Sequence, residues 1–182
     1  MNIRRSFNVK DLKSYSIVFD KSLLKTVQNL KSPDKRIKKA MIYFIKTGGK
    51  RIRPFLIHQT GTFLGTDSKT LNDFALAVEC VHLHSLIHDD LPSMDNDDYR
   101  RGRLTVHKKF DEATAVLAGD MFQVLSIKTL AESKNLSPNQ KVETIKMLSR
   151  KIVKMISQLD FNLLNYMFTG QSIYIDGGYT II

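Results

Sequence analysis

Between His82 and Arg103 the chain reads HLHSLIHDDLPSMDNDDYRRGR, a run dense in side chains that do chemistry. Asp89 and Asp90 close an apolar, helix-like stretch just before Leu91-Pro92. Asp95, Asp97 and Asp98 follow, and then Arg100, Arg101 and Arg103. A helix C-terminus already carries partial negative charge, so carboxylates gathered there repel both it and one another. A divalent cation is the simplest relief. Arginines beside a cation site suggest that its partner carries phosphate.

A second basic stretch lies upstream at Gly48-Gly49-Lys50-Arg51-Ile52-Arg53-Pro54. Two glycines allow a tight turn, three cations fall within four positions, and Pro54 starts a new helix. Cations and free amides at a helix N-terminus make an anion site, while a basic helix cap is the competing reading. The GxxxxGK[ST] spacing of a P-loop is absent. His82, Ser85 and Asp89 share one side of a helix. Histidines in such helices are more often satisfied core residues than ligands, but the neighbouring aspartates favour a functional role for His82. His88-Asp89 would also serve a metal phosphohydrolase, yet further metal-binding histidines at recognisable spacing are missing.

The elements that must hold these residues read as helices. Apolar periodicity gives a helix over Ser14 to Leu30 with Ile17, Val18, Leu24, Val27 and Leu30 on one face. Ser32-Pro33 should cap and start the next, whose inner face is Ile37, Met41, Phe44 and Ile45 and whose end is Gly48-Gly49. Phe55 to Leu64 continues as a short helix. A longer one follows from about Leu71 to His88, mostly buried, with small residues at Ala75, Ala77 and Cys80. Pro92 breaks it, and Ser93 to Gly102 reads as a loop. Asp111 should cap a helix over Glu112 to Ala131 with an inner face of Ala115, Leu117, Ala118, Phe122, Leu125 and Leu130. Gly119 inside it implies close packing or approach of a substrate. Ser137-Pro138-Asn139-Gln140 is a capping-box start for a last helix, using Val142, Ile145, Leu148, Ile152, Ile156 and Leu159. Only Gly170 to Gly178 alternates like a strand ending in a turn. No internal repeat or low-complexity linker interrupts the chain.

Composition narrows the function classes. At 182 residues, with 42% hydrophobic and 25% charged side chains, the chain can bury a core without staples. Cys80 is the single cysteine, which excludes a disulfide framework within one chain and fits a reducing, cytoplasmic setting. Met1 to Lys10 has Arg4 and Arg5 but no apolar run after them, so no signal peptide is expected. No uncharged apolar stretch is long enough to span a bilayer. The net charge of +10 is concentrated over Arg4 to Arg53. Most of these lysines read as a solvated basic surface; aromatic residues are not interleaved with them as a nucleic-acid groove requires, so small anions are the expected partners of the rest.

Three segments together resemble a known family. GGKRIRP at Gly48 to Pro54, HLHSLIHDDLPSMDNDDYRRGR at His82 to Arg103 and AVLAGDMFQ at Ala115 to Gln123 are similar to the trans-isoprenyl diphosphate synthases. The bacterial farnesyl/geranylgeranyl diphosphate synthase type fits best, with its DDxxxxD motif at Asp89 to Asp95. The match is strong over about Ala40 to Leu125 and weak in the flanking helices. It implies an all-α helix bundle of the isoprenoid synthase type, incomplete at the C-terminal end and followed by a short β-like tail. Residues 1–168 would be the N-terminal part of that domain, and residues 169–182 an unrelated tail.

The resemblance also implies residue roles. Asp89, Asp90 and Asp95 would hold Mg²⁺ against the diphosphate of an allylic substrate, and Arg100 would contact that diphosphate. Lys50, Arg53, His82 and Arg101 would bind the diphosphate of isopentenyl diphosphate, with Arg51 nearby. His84 and Ser85 occupy the product-length region, where a bacterial farnesyl synthase usually shows Tyr-Ser. Histidine is bulky enough to floor a short product but does not by itself fix chain length. The second aspartate-rich motif, DDxxD, and the lysine-bearing motif of the family are absent from this sequence. Activity would then require a separate polypeptide supplying the C-terminal half. A homodimer is the other expected assembly, and an inactive remnant that binds diphosphates or dimerises is the alternative function. TGQSIYIDGGYTI at the end is similar to the end of a short-chain dehydrogenase. No dinucleotide fingerprint accompanies it, so no NAD(P) role is implied.

Overall fold

The structure is a computed structural model that describes residues 9–31, 34–157, 173–175 and 179–181. Seven helices and two small hairpins occupy the described residues. Two compact units divide the chain, residues 1–141 and 142–182. The first contains the buried core and every residue singled out for chemistry.

α1 (Val9–Gln28) begins earlier than its periodicity suggested. Its inner ridge is Phe19, Leu23 and Val27, with Tyr15 packed beside them, whereas Ile17 and Val18 are exposed. The ridge at spacing four points at α2 and α3, which leaves the adjacent pair on the solvent side. α2 (Lys35–Lys46) buries Ala40, Met41, Phe44 and Ile45, as the pattern requires, with Ile37 half-buried against them. Its N-cap is Asp34, which accepts from the amides of Arg36 (2.6 Å) and Ile37 (3.2 Å). The expected cap and first-turn residue, Ser32 and Pro33, lie outside the described residues. After Thr47, Gly48 takes φ +86°, the left-handed conformation that ends a helix cheaply only at glycine.

α3 (Ile52–Phe63) starts two residues before Pro54, which sits in the first turn where its missing N–H is not needed. α4 (Ser68–Asp89) is the central helix and packs against both α3 and α6. Asp67 caps it by accepting from the amides of Lys69 (3.0 Å) and Thr70 (3.1 Å), so it begins three residues before the first periodic leucine. Burial on nearly all sides explains why its C-terminal half lacks a polar stripe.

The segment expected to be a plain loop is more ordered. β1 (Tyr99–Arg100) pairs antiparallel with β2 (Arg103–Leu104) around Arg101-Gly102, whose φ values are 54° and 74°. Two positive-φ residues between strands give the tight turn that matches strand twist. Strands of two residues have no alternation to detect, so only the turn glycine hinted at them. α5 (Val106–Lys109) is a single turn of four residues, too short to show a period. α6 (Glu112–Ala131) has the expected bounds, with Asp111 accepting from the Thr114 amide at 2.7 Å. Leu117 is exposed rather than internal; Ala118 and Gly119 occupy the close contact instead.

α7 (Pro138–Ser157) opens on the anticipated reciprocal box: the Ser137 amide donates to Gln140 Oε1 at 2.9 Å, and the Gln140 amide donates to Ser137 Oγ at 3.3 Å. Of its apolar face Ile152 is buried and Ile145 and Leu148 are half-buried, while Val142 and Ile156 are exposed. Periodicity defines a face without guaranteeing a cover for it. Leu159 lies outside the described residues. In the tail, β3 (Ile173–Ile175) pairs antiparallel with β4 (Tyr179–Ile181), in agreement with the strand reading; Gly170 to Ser172 and Asp176 to Gly178 are outside the described residues.

Candidate functional site

The basic stretch is anchored from within. Arg51 is the N-cap of α3 at φ 50°, a left-handed conformation that a non-glycine residue adopts only when its surroundings hold it there. Its fully buried guanidinium donates to Asp20 Oδ1 (2.7 Å), Glu79 Oε1 (2.7 Å) and the Ile45 carbonyl (3.3 Å). Arg51 is thus committed to internal acceptors on α1, α2 and α4. It acts as a post that fixes the turn, and these hydrogen bonds all run inward.

Around that post the other cations gather. Arg53 brings Nη1 to 3.4 Å from His82 Nε2. Burial is the main cause that drives the His82 pKa down to about 2, and Arg53, Arg101, Arg51 and Arg100 reinforce it in that order. His82 is therefore a neutral imidazole inside a ring of arginines. Arg101 is held below its usual range first by burial and then by Arg51 and Arg100, and Arg53 is lowered by burial as well. Gly49 makes room for this crowd, since a Cβ there would lie 2.9 Å from both Arg101 Nη1 and Arg51 Nη1. Lys50 is exposed on the same turn.

The carboxylates form a second group at the end of α4. Burial first, and then Asp95, push the Asp89 carboxyl up to about 6, against the opposing pull of Arg100. The Asp95 amide donates to the Asp89 carbonyl at 2.8 Å, which folds the loop back over the helix end. Asp90, the C-cap, is buried and faces Arg100: Nε donates to Oδ1 (2.8 Å) and Oδ2 (2.9 Å), and Nη2 stands 2.7 Å from Oδ1. Asp95, Asp97 and Asp98 are exposed, and Lys108 pairs with Asp98 at 2.9 Å. Arg100 belongs to both groups, gripping Asp90 while its charge is felt at His82 and Asp89. The hairpin explains this, because Arg100 ends its first strand and Arg101 opens its turn, so the two diverge toward the acids and the bases.

Two supports were not visible in the pattern of motifs. Glu79 and Asp20 hold Arg51, and only an acid among the small residues of an otherwise apolar helix segment pointed to Glu79.

The sequence profile of the family described as polyprenyl synthetase matches residues 34–160. The chain belongs to the polyprenyl synthetase family. It is 46% identical over 123 residues to a farnesyl diphosphate synthase of Haemophilus influenzae, a match covering 68% of this chain and 42% of that protein. A farnesyl diphosphate synthase of Buchnera aphidicola is 38% identical over 149 residues, covering 82% and 50%. The crystal structure of an FPP/GFPP synthase from Zymomonas mobilis superposes with a TM-score of 0.72 at 39% identity, over 78% of this chain and 53% of that one. The all-α isoprenoid synthase fold follows from these matches. This polyprenyl synthetase chain spans about half the length of the relatives it matches. No described helix is long and apolar enough to cross a membrane.

Proposed function

We propose that this chain supplies one side of an isoprenyl diphosphate synthase active site, which joins isopentenyl diphosphate to an allylic diphosphate. The observation that carries the reading is the neutral His82 inside a ring of arginines, bridged through Arg100 to the carboxylates of Asp89 and Asp90, with Asp95 beside Asp89. Mutually repelling guanidiniums in a partly buried site favour an anion, and a diphosphate satisfies several at once through paired hydrogen bonds. Arg53, Arg101 and Lys50 would hold the diphosphate of isopentenyl diphosphate. His82 would contribute a neutral donor or acceptor, and Arg51 would keep the turn in shape. Arg100 would exchange its grip on Asp90 for the allylic diphosphate.

Asp89 and Asp95 offer carboxylate oxygens alone, a donor set that fits Mg²⁺, with Asp90 joining once Arg100 lets go. Bound there, Mg²⁺ would offset the charge that builds on the departing diphosphate. The chain's own task is to bind, orient and keep water away. Leu83, Leu86 and Ile87 of α4 and Ala118 and Phe122 of α6 are buried apolar side chains, the kind of surroundings that would protect an allylic cation from water. The isopentenyl double bond attacks that cation, and the proton then lost leaves with the released diphosphate. No side-chain nucleophile is required.

Since the sequence carries a single aspartate-rich motif, we propose that residues 1–168 act in the cytosol with a separate polypeptide that supplies the other side of the site, whether or not the chain also pairs with a copy of itself. The test is turnover of an allylic diphosphate with isopentenyl diphosphate and Mg²⁺ by the purified chain. Turnover by the chain alone would eliminate the half-site reading. Binding of isopentenyl diphosphate in calorimetry without turnover would support it, and no heat at millimolar ligand would remove any binding role.

A further inference from the structure

One turn before Asp89, α4 carries a second set of ligating side chains that the proposed chemistry does not use. His84 and His88 stand four residues apart on one helix face, their rings 4.4 Å apart between centroids and inclined at 62°. Asp120 of α6 faces them, with Oδ1 3.6 Å from His88 Nε2. One ring nitrogen of each histidine and one Asp120 oxygen all lie within 4.8 Å of one another. Among the described residues this is the cluster of three with such spacing. His84 is buried, and its Nδ1 has no hydrogen-bond partner, a cost normally avoided unless something else uses the lone pair or proton. His88 Nε2 lies 3.1 Å from the Val116 carbonyl, to which it can only donate, so a metal either binds Nδ1 or takes the place of that bond.

The approach of the two helices is built into the sequence. Gly119 is buried beside Asp120, and a Cβ there would overlap the His88 ring. Only glycine lets α6 come close enough for Asp120 to share a centre with two residues of α4. Two imidazoles and one carboxylate make a nitrogen-rich, singly charged donor set, which suits zinc, cobalt or nickel far better than magnesium. Ligand atoms in a tetrahedral zinc site stand roughly 3.3 Å apart, so small side-chain rotations would close the set and leave a fourth position for water.

We infer that His84, His88 and Asp120 form a site for a divalent transition metal of the zinc class, which clips α4 to α6 next to the carboxylate site yet is chemically distinct from it. The inference stands independently of the proposed synthase chemistry.

Cobalt titration of the purified, untagged full chain tests it. One Co²⁺ per chain should bind with visible ligand-field absorption, survive millimolar Mg²⁺ and be displaced by Zn²⁺. Zn²⁺ should also raise the melting temperature. His84→Gln and Asp120→Asn should each weaken Co²⁺ binding about tenfold or more, while Asp89→Asn with Asp95→Asn should leave it unchanged. If His84→Gln unfolds, as circular dichroism would reveal, Asp120→Asn alters a half-exposed side chain and carries the test alone. The inference is overturned if no saturable binding is seen or if Mg²⁺ displaces Co²⁺. It is equally overturned if the Asp89/Asp95 variant loses the metal that His84→Gln or Asp120→Asn retains.

Discussion

On the basic side of the site, order comes from the interior. Arg51 is fully buried, tied to Asp20 and Glu79, and the turn carrying Lys50 and Arg53 hangs on that post. The acidic side is organised from outside. Asp95, Asp97 and Asp98 lie on an exposed loop, and only Asp89 and Asp90 belong to a helix. The contrast has a physical basis. Arginines remain charged under all working conditions, so crowding them demands a rigid frame that pays their repulsion in advance. Carboxylates on an exposed loop keep their charge in contact with water until a cation gathers them. Removing parts of the frame should therefore cost stability on the basic side and ligand binding on the acidic side.

The largest effect expected is that of Glu79→Ala. It leaves the Arg51 guanidinium buried with only Asp20, itself partly exposed, as a charged partner. Breaking one partner of a buried pair costs about 3–5 kcal/mol. Urea unfolding should show that loss, and Asp20→Ala should cost less because its carboxylate is already in contact with water. Equal costs for the two variants would show that the post does not depend on burial.

Asp89→Asn should behave in the opposite way. The Asp89 carboxylate is penalised by burial and by Asp95, so the amide should be no less stable than the parent. Mg²⁺-dependent affinity for an allylic diphosphate should fall on the order of a hundredfold, the scale of losing one electrostatic contact to a diphosphate. Calorimetry with and without Mg²⁺ separates the outcomes, and an affinity loss that persists without Mg²⁺ would mean that Asp89 shapes the pocket instead.

How much of this could be read from sequence differs between the two sides. The bounds of helix α6 were legible to the residue because Asp111 caps it, but its face was not, since apolar residues surround it and Leu117 proved exposed. That the DDxxxxD carboxylates and the arginines after them would lie together was legible because they are neighbours in sequence. The roles of Arg51 and Asp90 were not, since both depend on partners distant in the fold. Arg51 meets Asp20 and Glu79 from two other helices, and Asp90 meets Arg100 only because a hairpin of two-residue strands turns the chain back. Local pattern also misplaced Ile17 and Val18 on α1, where the choice of neighbours, not the periodicity, decides which ridge turns inward.

Acid should act on the two sides with opposite signs. The pKa values of His82 and His84 are lowered, mainly by burial, to about 2 and about 4 from 6.5. The unfolded chain takes up those protons first, so the histidines' contribution is present above pH 6.5 and is lost as pH falls toward those lower values. Each removes at most about 1.4 kcal/mol per pH unit once the unfolded imidazole is protonated, well below 6.5. Asp89, raised to about 6, contributes stability at low pH that disappears as pH rises through 6, and so partly offsets the histidines. Unfolding free energy should fall between pH 7 and 5, and fall more steeply in Asp89→Asn. A flat profile in that variant would mean that the two buried imidazoles do take up protons in the folded chain.

The smallest and most local perturbation is Gly49→Ala. The new methyl would stand 2.9 Å from the Nη1 atoms of Arg51 and Arg101. Arg51 is locked between Asp20, Glu79 and a carbonyl and has nowhere to go, whereas Arg101 sits at the exposed hairpin turn and can swing aside. The methyl should therefore displace Arg101, leaving global stability within about 1 kcal/mol of the parent and the charge count unchanged. Affinity for isopentenyl diphosphate should drop severalfold, with a gentler dependence on salt because one guanidinium no longer reaches the anion. Competition binding at two ionic strengths reads this directly. Unchanged affinity would mean that Arg101 serves the hairpin and leaves the ligand to Arg53, His82 and Lys50. A large loss of stability would instead show that Arg51 is the residue that yields, and that the frame on the basic side is softer than its hydrogen bonds imply.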